Sequence, residues 1–209
     1  LVIDVMYPPA VLAALLRDFT MAFPTVDLRL HVEALGGVAA MLLDGRADLG
    51  VGGPVMSAFP ELERSVIGAV QLLPVAAPGH PLARMHPIPP GTARQHLQLV
   101  LSDRSPLTEG RDFSVTAART WRLADLGAKH ALLLEGIGWG NMPRTTVADD
   151  LATGRLVPLA VPEDPGTDYT FTALWRRDCP PGPARQWLRS ALQERLCPPE
   201  ASSPMEKLL

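Results

Sequence analysis

The chain has 209 residues, 47% of them hydrophobic, and a formal net charge of -3, enough to bury a core in one large domain or two small lobes. That charge and the lack of a Lys/Arg block exclude a chain that by itself grips a phosphate backbone or an anionic membrane. No basic-then-apolar leader opens it, and no apolar run approaches the roughly 20 residues that a membrane helix needs.

Residues 1–6 are an apolar run broken only by Asp4 and read as a strand. Pro8 and Pro9 then open a helix in which Val11, Leu12, Leu15, Leu16, Phe19 and Phe23 recur at helical spacing until Pro24 stops it. Val26, Leu28, Leu30 and Val32 alternate with Asp27, Arg29, His31 and Glu33, predicting a strand over 26–33 with one wet face. Gly36 and Gly37 open a short helix with Val38, Met41 and Leu42 on one side; Gly45 caps it, and 48–52 reads as a third strand. A β-α-β-α-β order with right-handed crossovers makes these strands parallel. A ligand is therefore expected beyond their carboxyl ends, at Met6-Tyr7, Leu35-Gly36-Gly37 and Gly52-Gly53-Pro54.

Residues 66–77 are again apolar and extended, and the proline-rich stretch 78–90 precedes a second series of elements. Its predicted parts are a short helix near 92–96, a strand over 97–101, a helix over 124–134 with Leu126, His130 and Leu133 on one side, and a strand over 137–142. Pro143 opens a helix bearing Val147 and Leu151, which Gly154 ends before a strand at 156–159. Tyr169, Phe171, Ala173 and Trp175 alternate along a long strand. Pro183 then opens a last helix with Trp187, Leu188, Ala191, Leu192 and Leu196 inward. The tail 200–209 reads as mobile.

The helix N-termini at Pro8-Pro9 and Gly37 would turn unpaired N–H groups toward the crevice, and Gly36, Gly37, Gly52 and Gly53 would let a ligand approach backbone amides closely. A carboxylate or another small oxyanion, held largely by main chain, fits this arrangement. Tight-turn and helix-cap roles for the same glycines stay open. His31, His80, His86, His96 and His130 have no metal-ligand spacing, so no metal is expected. Gly136-Ile137-Gly138-Trp139-Gly140-Asn141 puts an asparagine where a dinucleotide fingerprint needs its third glycine. Asp149 and Asp150 diverge by about 100° on a helix and read as a solvated face. No Gly-X-Ser-X-Gly elbow occurs, so neither a cofactor nor an enzyme is expected. Cys179 and Cys197, flanked by prolines, fit a reducing cytoplasm; one disulfide between them is left open.

Three blocks appear in a familiar order. Phe23-Pro24 and the alternating strand lead into Leu42-Leu43-Asp44-Gly45-Arg46-Ala47-Asp48-Leu49-Gly50-Val51, and Ala77-Pro78-Gly79-His80-Pro81-Leu82-Ala83 follows. The third is Glu135-Gly136-Ile137-Gly138-Trp139-Gly140-Asn141-Met142-Pro143, with Leu151-Ala152-Thr153-Gly154-Arg155-Leu156-Val157 behind it. Together they resemble the effector-binding domain of LysR-type transcriptional regulators. The resemblance implies an α/β, two-lobed, type-2 periplasmic-binding-protein-like fold with two crossover strands. Lobe I would be residues 1–72 plus 171–209, lobe II residues 73–170, and a small-molecule effector would lie between them.

Carried onto this chain, the family's cleft positions are Tyr7 and Pro8, Gly36 and Gly37, Gly53, Ser102, Ser105, and Gly138, Trp139 and Asn141. Many relatives have serine or threonine at the first two wall positions, where this chain has Tyr7 and Gly36, so a relative's effector does not transfer. Trp139 reads equally as a ring under the lobe II sheet or one facing the cleft. The resemblance further implies a homodimer formed through the first helix and second strand. It also implies DNA contact through an N-terminal winged helix-turn-helix that is not among these residues. A transporter's solute-binding protein, which shares the fold, is the alternative; an enzyme on this fold ranks last.

Overall fold

The computed structural model describes residues 1–54, 59–103, 105–109, 111 and 113–196; Cys197 and the tail 200–209 lie outside them. Strand β1 (Val2–Asp4) is buried throughout, as a strand between two parallel neighbours must be. Its partners are β2 (His31–Glu33), in register Val2 to His31, and β3 (Gly50–Gly52), in register Val2 to Gly50. Helix α1 (Pro9–Ala22) follows Pro8 as its cap, with proline at a position whose N–H would be unpaired anyway. Helix α2 (Gly37–Leu43) crosses back to β3, buries Val38, Met41 and Leu42, and ends before Gly45 at φ +67°.

Two long antiparallel strands carry the chain away from and back to this unit. Strand β4 (Leu62–Ala76) pairs with β9 (Thr167–Arg176) from Leu62 opposite Arg176 to Leu72 opposite Thr167. β9 also flanks β3, while the far half of β4 flanks β7 (Gly140–Pro143) and β8 (Val157–Pro158). The main sheet therefore runs β2-β1-β3-β9-β4-β7, with β8 also on β4. Between Val66 and Gly68 the β4–β9 register shifts, and Gly68 sits at φ +144°, which a side chain rarely tolerates. An irregularity of this kind bends and twists a strand locally, here between the β3-facing and β7-facing halves.

Strand β5 (Gln98–Leu101) pairs in parallel with β6 (Thr120–Leu123) and extends the β7 side: the Leu99 amide donates to the Trp139 carbonyl at 2.8 Å, and the Trp139 amide to the Leu97 carbonyl at 3.0 Å. Helix α3 (Leu126–Leu134), capped by the Asp125 carboxylate, packs on β5, and α4 (Ala148–Ala152) lies before β8. Helix α5 (Pro183–Arg195) returns to α1, where Trp187 meets Phe19 at 5.9 Å.

Several elements depart from expectation. The strand expected over 26–33 is the three-residue β2, and Val26, Leu30 and Val32 are 44%, 39% and 54% exposed; as the sheet edge, β2 has a ladder partner only in β1, and its apolar set faces out. The helix expected from Pro143 starts at Ala148, because Pro143 completes β7 opposite Leu72. The strand expected over 137–142 begins only at Gly140, since Gly138 turns the chain at φ +72°. Near 92–96 there is one 3-10 turn, Ala93–Gln95. β6 carries no alternating signal in the sequence, because Trp121 and Arg122 in its middle are both exposed. Asp149 and Asp150 do not form one solvated face: Asp149 is exposed, but Asp150 is 2% exposed and lies 2.6 Å from His130 Nε2.

Candidate functional site

The carboxyl ends of β1, β2 and β3 converge, and the anion at their focus belongs to the chain. Asp4, 1% exposed, accepts from the Met6 amide at 2.8 Å and the Tyr169 hydroxyl at 2.9 Å, and the Gly53 and Leu35 amides also favour its charge. Burial outweighs these donors and pushes its carboxyl up to about 6. Burial, then the Asp4 charge, holds the Tyr169 hydroxyl well above its ordinary value. A Cβ on Gly53 would stand 2.0 Å from the Tyr169 hydroxyl oxygen, so only glycine lets that ring close over the strand ends.

Between these ends and the β5, α3 and β7 side lies a cavity of about 370 Å³. Met6, Leu35, Leu72, Leu99 and Phe113 give it apolar walls, and Lys129 and Asn141 give it polar ones. A neighbouring cavity of about 630 Å³ shares Leu35, Leu101 and Phe113 with it and carries Ser102, Asp103, Ser105, Arg111 and Arg122. The two adjoin at these shared residues, as an inner and an outer compartment.

In the inner compartment Lys129 reaches in from α3, 2% exposed, and donates to the Asn141 carbonyl at 2.6 Å. Burial lowers its ammonium to about 8, against the attraction of Asp164. The Asn141 side chain donates to Asp164 at 2.7 Å, which fixes its orientation and leaves Oδ1 buried with no hydrogen-bond partner among the described residues. Sequence reasoning missed Lys129. The available signal was its place on the inward face of α3, between Leu126 and Leu133 at helical spacing, where a lysine has no packing reason to be.

The outer compartment gathers other expected residues. Ser102 and Ser105 line it, the Ser105 hydroxyl accepting from the Leu107 amide at 3.2 Å. Gly36 faces the same loop: a Cβ there would lie 2.8 Å from Thr108 Cγ2 and 3.1 Å from Asp103 Oδ2. Thr108 donates to the other Asp103 oxygen at 2.5 Å. Gly37 lies against the Glu33 side chain, and Pro8 is buried as the α1 cap.

Two aromatic candidates lie away from this cleft. Tyr7 is 2% exposed with its ring edge-on to Phe171, and it lines a separate cavity of about 290 Å³ beside Leu126, His130 and Thr146. Burial pushes its hydroxyl up to about 12. Trp139, fully buried, packs among Ala76, Leu82, Ile88 and Leu159, with the Gly138 turn placing it there. Among the described residues there is no cluster of three or more metal-ligating side chains, and no helix is long and apolar enough to cross a membrane.

Residues 2–197 match the family model described as the LysR substrate binding domain. An uncharacterized HTH-type transcriptional regulator of Mycobacterium tuberculosis is 32% identical over 137 residues, 59% of this chain and 42% of the relative. The HTH-type transcriptional regulator SsuR of Burkholderia cenocepacia is 27% identical over 164 residues, 78% of this chain and 49% of the relative. The chain thus spans about half the length of the curated relatives it matches. Its backbone matches the effector binding domain of QuiR in complex with shikimate at a TM-score of 0.71 and 17% identity, over 92% of this chain and 93% of that one. That likeness is one of fold, the two-lobed periplasmic-binding-protein-like α/β architecture.

Proposed function

Because the chain belongs to the LysR substrate binding domain family, we propose that it is the ligand-sensing part of a DNA-binding transcription regulator and takes a small organic anion into its inter-lobe cleft. The observation that carries this reading is the cavity of about 370 Å³ walled by the ends of β1 and β2 on one side and by β5, α3 and β7 on the other. Curated relatives named as HTH-type regulators support it over a transporter's solute-binding protein. A fold relative solved with shikimate supports a small organic ligand.

In this proposal residues 1–72 with 171–209 form one lobe and 73–170 the other, and β4 and β9 are the crossing strands, so a ligand touching both walls biases lobe closure. Ser102 and Ser105 in the outer compartment and Asn141 in the inner one offer hydrogen bonds; Gly36 leaves room for Asp103 and Thr108, and Gly53 for the Tyr169 ring; Tyr7 and Trp139, packed away from the cleft, do not touch the ligand. The DNA-reading module lies outside these residues, and the protein works in the cytoplasm as a homodimer. The family is one of ligand-binding regulatory domains, and this role needs no catalysis.

Isothermal calorimetry against a panel of small carboxylates and phosphates tests the reading. At least one saturable binder, with its affinity reduced by Asn141→Leu, supports it. A panel uniformly blank at millimolar concentration counts against it.

A further inference from the structure

We infer that Lys129 is the anchor for the effector's anionic group, and that the adjacent Asn141 Oδ1 accepts from a donor beside that group, so the cleft selects a carboxylate flanked by a hydroxyl or amino group. This rests on the reading of the cleft as an effector site.

The chain has 19 basic side chains and only two are lysines, Lys129 and Lys207. One of these two stands 2% exposed on a cavity wall. A buried ammonium kept for structure is normally paired, because an unpaired one carries its full desolvation cost. Lys129 has a carbonyl at 2.6 Å and, among the described residues, no carboxylate within ion-pair distance. An ammonium has three donors, so the site is under-satisfied and faces an open volume. Its stem passes Gly140, where a Cβ would come 2.5 Å from the Leu99 carbonyl oxygen and 3.1 Å from Lys129 Cε.

The second group is independent of the first. The Asn141 amide nitrogen is committed to Asp164, which leaves Oδ1 as a buried acceptor that only a donor can satisfy. Lys129 and Asn141 both line this cavity, with Oδ1 buried just behind its wall, and Met6, Leu35, Leu72, Leu99 and Phe113 supply the apolar surface around them. The strand-end amides of the opposite wall already serve Asp4, so an incoming anion finds its counter-charge on α3 instead. Asp168 at the exposed rim and Asp164 behind Asn141 disfavour an anion placed beside them.

The test uses protein carrying isotope-labelled lysine, whose two side-chain NMR signals are Lys129 and an internal reference, Lys207. The probes are mandelate, phenylacetate (no hydroxyl), mandelamide (no charge) and L-phenylalanine (amino for hydroxyl), at up to 50 mM, with backbone amide shifts recorded in parallel. The inference expects mandelate or phenylalanine to shift the Lys129 signal and not Lys207, phenylacetate to bind at least tenfold more weakly, and mandelamide to leave Lys129 unmoved. The stronger of the first two identifies a hydroxy or an amino acid. Lys129→Met should abolish the response of the cleft amides. Shifts of the cleft amides without a Lys129 response, or equal binding to Lys129→Met, overturn the anchor and leave the effector cleft standing. Silence of both Lys129 and the cleft amides toward every probe overturns both.

Discussion

Lys129 and Asp4 are two side chains whose burial in charged form works against stability. Lys129 titrates near 10.5 in an unfolded chain and at about 8 in the fold, so the folded state binds fewer protons between those values. Its contribution is therefore present above 10.5 and lost as pH falls through 8. At pH 7 the buried charge costs on the order of 3 kcal/mol. Replacing it by methionine loses a hydrogen bond worth about 1 kcal/mol. Lys129→Met is thus expected to stabilise the ligand-free protein by about 1–3 kcal/mol at pH 7, with the gain shrinking toward pH 10. Urea unfolding at both pH values checks this, and a destabilised variant would contradict it. Asp4 has the opposite sign: its carboxyl is raised from 3.8 to about 6, so its contribution is full below 3.8 and lost as pH rises through 6. The stability of wild type relative to Asp4→Asn should fall between pH 4 and 7 and be flat above that. Neither group is legible as special from spacing: Asp4 stands out only as an interruption in an apolar run, and Lys129 was missed altogether.

At the scale of elements, β4 and β2 make different demands on their residues. Gly68 allows the shift in β4–β9 pairing at a backbone angle suited to glycine, so Gly68→Ala is expected to cost about 1–3 kcal/mol in chemical denaturation, although it adds only a methyl group. β2 is an edge strand with Val32 54% exposed, and Met21 on α1 is 81% exposed. In the proposed homodimer these apolar side chains meet a second copy. Val32→Lys should then convert a dimer into a monomer by light scattering while changing folding stability by less than about 0.5 kcal/mol. Wild type that is monomeric at high concentration would remove the dimer proposal. The alternation over 26–33 was readable, yet which face it turned to water depended on the strand standing at the edge, and neighbours are not written in a local pattern.

For the whole molecule, a ligand that touches both cleft walls stabilises the folded state by mass action, by about 2.7 kcal/mol at a hundred times its Kd. For a chain of this size that corresponds to a rise in Tm of roughly 5–10 °C, which differential scanning fluorimetry can follow. The rise should be absent in Lys129→Met for a carboxylate ligand if the ammonium is its anchor. Because the free ammonium titrates at about 8 with Asp164 and Asp168 nearby, affinity for such a ligand should weaken as pH climbs above 8.

The amino-acid order alone determined the parallel β-α-β-α-β opening, the long strand through Tyr169, Phe171, Ala173 and Trp175 and the last helix, because these follow from periodicities of side chains close in the chain. It also carried the family, through three motif blocks in order. Only the tertiary structure decided that the strand-end amides converge on Asp4, that Tyr7 and Trp139 belong to cores, and that Lys129 stands beside Asn141 in the cavity. Such placements join residues far apart in the chain, and the free energy of a buried charge depends on what surrounds it in space, which no local pattern records.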